Sequence, residues 1–183
     1  MASRLADALL LLTCNNEAAT LATKPMESPI MTSRPSQYSA PAPIQMLPHA
    51  LPACPNTRLA LFAIRRMGAH GLLDAHAAHA MVNGFGEGFR RPLVLMRALM
   101  TDIATSATGT VAIAPCCCAR MTTAESALLT VLARAETAPD TAGLLLADLL
   151  GLRRVDGVLA TATLLAAAFA DAGRPILSSS PSL

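Results

Sequence analysis

Residues 121–136 read MTTAESALLTVLARAE. Thr122 stands three residues ahead of Glu125, the spacing at which a threonine hydroxyl accepts an early helical N–H while the glutamate reaches back to the cap N–H. A helix therefore starts here. Downstream, PDTAGLLLADLLG reads as a second helix stopped by Gly151, and VDGVLATATLLAAAFADAG as a third, with Gly173 and Pro175 as terminators. Upstream, FRRPLVLMRALMTDIATSA carries Pro92 where the first helical turn tolerates it and ends at Gly109. LLDAHAAHAMVN ends at Gly84, and RLALFAIRRM, capped by Asn56 or Thr57, stops near Gly68 and Gly71. About six helices on short links predict an all-α bundle.

One stretch does not fit that pattern. In TVAIAPCCCAR, Thr110 to Ala114 alternates like a strand, yet a lone strand leaves its backbone groups unpaired. It reads as an extended connector, with a short helix as the alternative.

The beginning of the chain differs in kind. Residues 25–55 hold eight of the thirteen prolines, and no glycine occurs before Gly68. Each proline removes a donor and biases its predecessor toward an extended backbone. Residues 1–43 are thus expected to form a disordered, proline-rich tail, with a short helix near Leu5 to Leu12 as an option. Residues 44–177 form the helical domain, its start lying extended up to Pro55, and residues 178–183 fray.

Composition narrows the function classes. Apolar residues make up 53% and mean hydropathy is +0.47, but no uninterrupted apolar run reaches the ~18 residues of a spanning helix. The longest candidate, Gly157 to Ala170, is mostly alanine and is bracketed by Asp156 and Asp171. No membrane span is expected. Near the N-terminus, Asp7 and a five-residue apolar core from Ala8 to Leu12 read against a secretion signal. A cytoplasmic address follows, with the five cysteines as reduced thiols. A net charge of +2 is too weak for a concentrated basic face, and with no tryptophan and one tyrosine the chain has few stacking platforms; no nucleic acid is expected.

The strings LALFAIRRMGAHGLLDAHAAHAM, GFGEGFRRPLVLMRALM, IAPCCCARMTTAE and AFADAGRPI together resemble a family of small bacterial proteins of unknown function, over roughly residues 44–177. The resemblance implies a compact domain and carries over no activity, cofactor or site residue.

Candidate chemistry centres on PCCCARM, residues 115–121. In an extended segment Cys116 and Cys118 face one way and Cys117 the other. Adjacent thiols suit soft ions or redox switching better than an ordinary zinc finger, and Arg120 and the helix starting beyond Thr122 are placed to lower a thiol pKa. The competing reading is that they are buried, small apolar side chains. His76 and His79 lie one helical turn apart on one strip. Together with Cys116, Cys117 and Cys118 they compose the one metal site the residue types allow, for zinc or another thiophilic metal. Without the glutamate of HExxH the pair does not support metalloprotease chemistry.

GFGEGF matches two of three GxGxxG glycines, with Phe89 in the third place and no strand before it; these residues read as a turn between helices. The doublets Arg65-Arg66, Arg90-Arg91 and Arg153-Arg154 sit near helix ends, where the first complements the helix dipole. Asp74, Glu87, Glu125 and Asp148 read as caps or surface residues. Two function classes follow: a non-enzymatic interaction or accessory protein, with a protein partner or a second copy of itself drawn to apolar surface such as the Leu144 to Leu150 run, and a soft-metal or thiol-redox protein.

Overall fold

The computed structural model describes residues 47–177, and the readings for residues 1–46 and 178–183 lie outside them. The architecture is mostly helical: β1 (His49–Ala50), α1 (Pro55–His70), α2 (Ala75–Phe85), a 3-10 turn (Gly86–Phe89), α3 (Arg90–Ser106), β2 (Arg120–Met121), α4 (Thr123–Arg134), α5 (Pro139–Leu150) and α6 (Asp156–Asp171). The GFGEG link is absorbed into helical structure. Helix α2 runs through Gly84, and the 3-10 turn leads into α3 with no coil residue between. The described residues therefore hold five uninterrupted helical stretches, where about six separate helices were expected. Gly86, at φ 57°, supplies the change of direction that a residue with a Cβ resists.

Local chemistry explains most helix ends. At α4 the reciprocal cap forms as its spacing requires: the Glu125 N–H donates to Thr122 Oγ1 at 3.0 Å and the Thr122 N–H to Glu125 Oε2 at 2.9 Å. Helix α5 begins with Pro139 and ends at Gly151 in the left-handed region, φ 66°. Thr108 lies against Gly151 and donates both its N–H and its hydroxyl to the Leu150 carbonyl, each at 3.0 Å, so the end of α5 is closed by the loop that follows α3. Helix α1 starts earlier than expected, with Pro55 in its first turn and Cys54 at the cap position. It runs past Gly68, which packs against the Ile113 side chain, and stops at His70 with Gly71 as its cap, as expected.

Helix α3 packs on α6, α4 on α5, and α1 on α2, with α1 also touching α3 and α4. The core is rich in methionine: Met67, Met81, Met96, Met100 and Met121 are fully buried beside Ile64, Leu99, Ile103, Leu128, Leu132, Leu146 and Phe169. Flexible thioethers fill the gaps that the alanine-rich helices leave. Phe169 meets Phe85 edge-on, ring centroids 4.8 Å apart, and ties α6 to α2. Of the leucine run on α5, Leu146 and Leu150 are buried, while Leu144 is 74% exposed.

The chain before α1 is extended. β1 pairs antiparallel with β2, His49 opposite Met121 and Ala50 opposite Arg120, and the Arg120 guanidinium donates to the carbonyls of Leu47 and Pro48. This pair does not involve Thr110 to Ala114, which form no strand and run as a connector; it joins two-residue segments seventy residues apart, too short and too distant for periodicity to reveal. At the other end, buried Thr57 donates to the Leu177 carbonyl and accepts from its N–H, both at 3.1 Å, pinning the segment after α6 to the start of α1.

Truncating the aromatic hinge tests this packing. Phe169→Ala is expected to lower stability by about 3–5 kcal/mol, read as a lower urea midpoint with an unchanged slope.

Candidate functional site

The connector 107–119 is positioned by one buried ion pair. Arg65 on α1 is 3% exposed and Glu125 on α4 is 0% exposed. Their contact is a two-pronged fork, Nε to Oε1 at 2.8 Å and Nη2 to Oε2 at 2.9 Å. Such planar, doubly bonded pairs are the strong form of the charge-assisted hydrogen bond. The remaining capacity is spent on the connector: Arg65 Nη1 donates to the Cys118 carbonyl at 2.9 Å and Nη2 to the Arg120 carbonyl at 2.7 Å, while Glu125 Oε1 accepts the Ala114 N–H at 3.0 Å. Glu125 is thus a capping residue and a buried anion at once. Arg65 does not serve the α1 dipole from the surface as its place in the sequence suggested.

Between these anchors the thiols lie on a turn. The Cys118 N–H donates to the Pro115 carbonyl at 3.0 Å, which puts Cys116 and Cys117 at the turn's two central positions. Cys116 and Cys117 are exposed and Cys118 is half-buried. The reading of the run as buried packing residues is therefore overturned: a turn stapled at both ends by backbone bonds has no interior face on which to hide three side chains. Cys116 and Cys118 line one groove beside the turn and Cys117 does not, while Cys117 and Cys118 are close enough to interact.

Each thiol has its own electrostatic setting. Partial burial pushes the Cys116 thiol up, against the opposing pull of Arg66 and Arg65. Although Cys116 is exposed as a residue, it lines a groove where its sulfur loses water. Burial and the neighbouring Cys117 push Cys118 up as well. Cys54, which the sequence reading passed over, behaves oppositely. Burial raises its pKa, but hydrogen bonds from Thr57, Asn56 and the Leu177 N–H outweigh burial and leave it below the usual thiol range. Its place just ahead of Pro55 at a helix start was the available signal.

The histidines sit elsewhere. His76 and His79 are both exposed on α2. Arg66 holds Asp74 through two bonds, Nε to Oδ1 at 3.0 Å and Nη2 to Oδ2 at 2.7 Å, and its Nη2 lies 2.9 Å from His76 Nδ1. The same guanidinium reaches the Cys116 thiol. Cys116 and His76 are therefore drawn to one residue, but that residue is a cation. Among the described residues no three His, Cys, Asp or Glu side chains gather as ligands for one metal ion. The arginine doublet diverges, Arg65 to Glu125 and Arg66 to Asp74, and Arg91 pairs with Asp171 on the surface at 2.8 Å.

Beside the turn lies an open groove of about 230 Å³, lined by Leu51, Arg58, Leu61, Phe62, Arg65, Cys116 and Cys118. Its α1 residues fall at i, i+3, i+4 and i+7, one face of the helix. Phe62 remains 37% exposed there.

Fold and site together define a mostly helical domain that displays a thiol-bearing turn beside an apolar groove. The chain belongs to a family of unknown function, DUF6628, whose model matches residues 44–143, from ahead of β1 into the first turns of α5. Neither the comparison with curated proteins nor that with solved structures finds a match. No helix among the described residues is long and apolar enough to cross a membrane.

Two measurements test the electrostatics. Glu125→Gln strands the buried Arg65 charge and is expected to cost roughly 3–5 kcal/mol, seen as a reduced unfolding free energy at neutral pH. Asp74, whose side chain is 6% exposed, is pulled down to about 2 by Arg66 in the first place, assisted by the Ala77 N–H. A carboxylate with a depressed folded-state pKa stabilises above its unfolded value, and that stabilisation is lost as pH falls toward the folded value. Stability is thus expected to drop by roughly 2 kcal/mol between about pH 5 and pH 2 through this group. Urea melts of Asp74→Asn should lack that component.

Proposed function

We propose that this domain is a non-enzymatic interaction or accessory module, and that the groove on α1 is its contact surface. The observation that carries the reading is the open groove along one helical face, where Arg58 and Phe62 are exposed beside the buried Leu61 and Arg65 and Leu51 joins them. An aromatic ring left partly exposed in an apolar groove is the kind of anchor point around which protein contacts are built. Charge indicates what fits. Arg65 is committed to Glu125, whereas Arg58 is exposed, donates its Nε to the Pro52 carbonyl at 2.6 Å, and has no carboxylate partner among the described residues. The occupant this supports is a short apolar segment of a protein partner with a carboxylate beside Arg58. The stretch from Arg58 to Arg65 is roughly 10 Å long at 1.5 Å per residue, which suits one or two inserted side chains.

A second reading, soft-metal or thiol-redox chemistry, is supported by the exposure of Cys116 and Cys117 on the turn. In its broader form it recruits His76 and His79 as well, which requires α2 and the turn to approach one ion from either side of Arg66.

Site-specific photocrosslinking in cells checks the first reading. A photoreactive phenylalanine analogue at position 62 is expected to give one discrete crosslinked product with a second protein, lost on Arg58→Glu. The same analogue at Leu144, exposed on α5, should give no such product. Identical products from both positions, or products indifferent to the charge at 58, would sink the groove as the contact surface. A product containing only this chain would instead make the occupant a second copy.

A further inference from the structure

We propose that Cys117 and Cys118 form a vicinal dithiol site for a soft, thiophilic centre that binds two sulfurs at an acute bite, with trivalent arsenic as the model ligand. The inference does not rest on the groove reading, although Cys118 also lines the groove.

Three features of the turn carry it. First, the two thiols are adjacent in sequence on one turn and close enough to interact, with Cys117 exposed and Cys118 half-buried. A ligand can approach from solvent without any part of the fold opening. Second, the backbone beneath them is already fixed. The Cys118 N–H closes the turn onto Pro115, and its carbonyl is held by Arg65, itself locked to Glu125. Little conformational freedom is left to lose on binding, which favours affinity. Third, the neighbouring thiol has a different setting, because Cys116 lies in the field of the Arg66 and Arg65 guanidinium groups.

The ligand class follows from donor type and number. Thiolates select soft centres over magnesium- or calcium-like ions. Tetrahedral zinc sites require four ligands or three with an open position, and no three candidate side chains gather among the described residues. A linear two-coordinate ion places its sulfurs on opposite sides of the metal, an arrangement that two adjacent thiols on one turn do not match. A pyramidal trivalent centre accepts two adjacent sulfurs.

Binding is ligand exchange without electron transfer. Two As–S bonds form and two As–O bonds break, the thiol protons leave with the displaced oxygens as water, and arsenic stays trivalent. Because the thiol protons end in water, none is released to solvent, and occupancy is expected to be insensitive to pH while the thiols stay protonated.

The test uses the full chain, reduced and kept free of oxygen, with phenylarsine oxide as the probe. Intact-mass spectrometry and a free-thiol count are expected to show one arsenical per chain at the expense of two thiols, retained against excess glutathione and removed by a small dithiol. Cys117→Ser and Cys118→Ser should each lower the glutathione-resistant occupancy at least tenfold, and Cys116→Ser should leave it in place. Glu125→Gln, which loosens the turn without touching sulfur, should speed release. Retention of the adduct in Cys117→Ser or Cys118→Ser, its loss in Cys116→Ser, or no glutathione-resistant adduct on the wild-type chain would each overturn the assignment. Far-UV circular dichroism identifies a variant that fails to fold, and the wild-type glutathione challenge then decides by itself. Crosslinking at position 62 is read on the arsenical-free chain and arsenical binding on the purified chain without a partner, so the two readings fail separately.

Discussion

A guanidinium and a carboxylate, both withdrawn from water, hold together the part of this domain that its helices do not. Arg65 and Glu125 come from helices α1 and α4, and between them they bind the backbone of Ala114, Cys118, Arg120 and Thr122. A buried ion pair is a poor source of net stability, because removing two charges from water costs much of what their attraction returns. Its effect here is specificity of position. Every nitrogen and oxygen of the pair has a defined hydrogen-bond partner, in the other member or in the backbone, and no buried side-chain nitrogen or oxygen among the described residues lacks one. The connector is thereby held in one path although it has almost no regular structure of its own.

That path determines what the surface displays. With its flanks fastened, the Pro115–Cys118 turn projects outward, so thiols that by residue type belong in a core stand in solvent. Beside it, α1 presents the apolar face that its neighbours leave uncovered, and the extended chain ahead of α1 contributes Leu51 to the same groove. The β1–β2 pair and the Arg120 contacts to Leu47 and Pro48 bring that chain to the turn. Groove and thiols are therefore products of one polar framework, although their chemistries are separate.

The helices were largely legible because their signals are local. A capping pair three residues apart, a proline in the first turn and a glycine in the left-handed position each act within one turn of backbone; α4 begins, and α5 begins and ends, where those residues stand. Reading erred where a local signal was overruled by packing. Gly84 and Gly86 signalled a link, but the chain stays helical through them. The first helix, by contrast, stops where its glycines stand, ending at His70 with Gly71 as its cap. The two-residue strands were invisible for a related reason: a pairing this short has no period, and its partners are far apart along the chain.

The site was legible as residues and illegible as geometry. The sequence by itself determined that three thiols adjoin, that an arginine doublet closes the first helix, that Thr122 and Glu125 cap another, and that two histidines share a helical strip. It did not distinguish Arg65 from Arg66, although one is sealed against Glu125 and the other spans Asp74, His76 and Cys116 at the surface. Only the tertiary structure decided those partners, the outward turn of the cysteines and the open face of α1. The physical reason is range: helix caps and turns depend on atoms a few residues apart, whereas burial and charge pairing depend on which distant segments meet, here residues sixty apart.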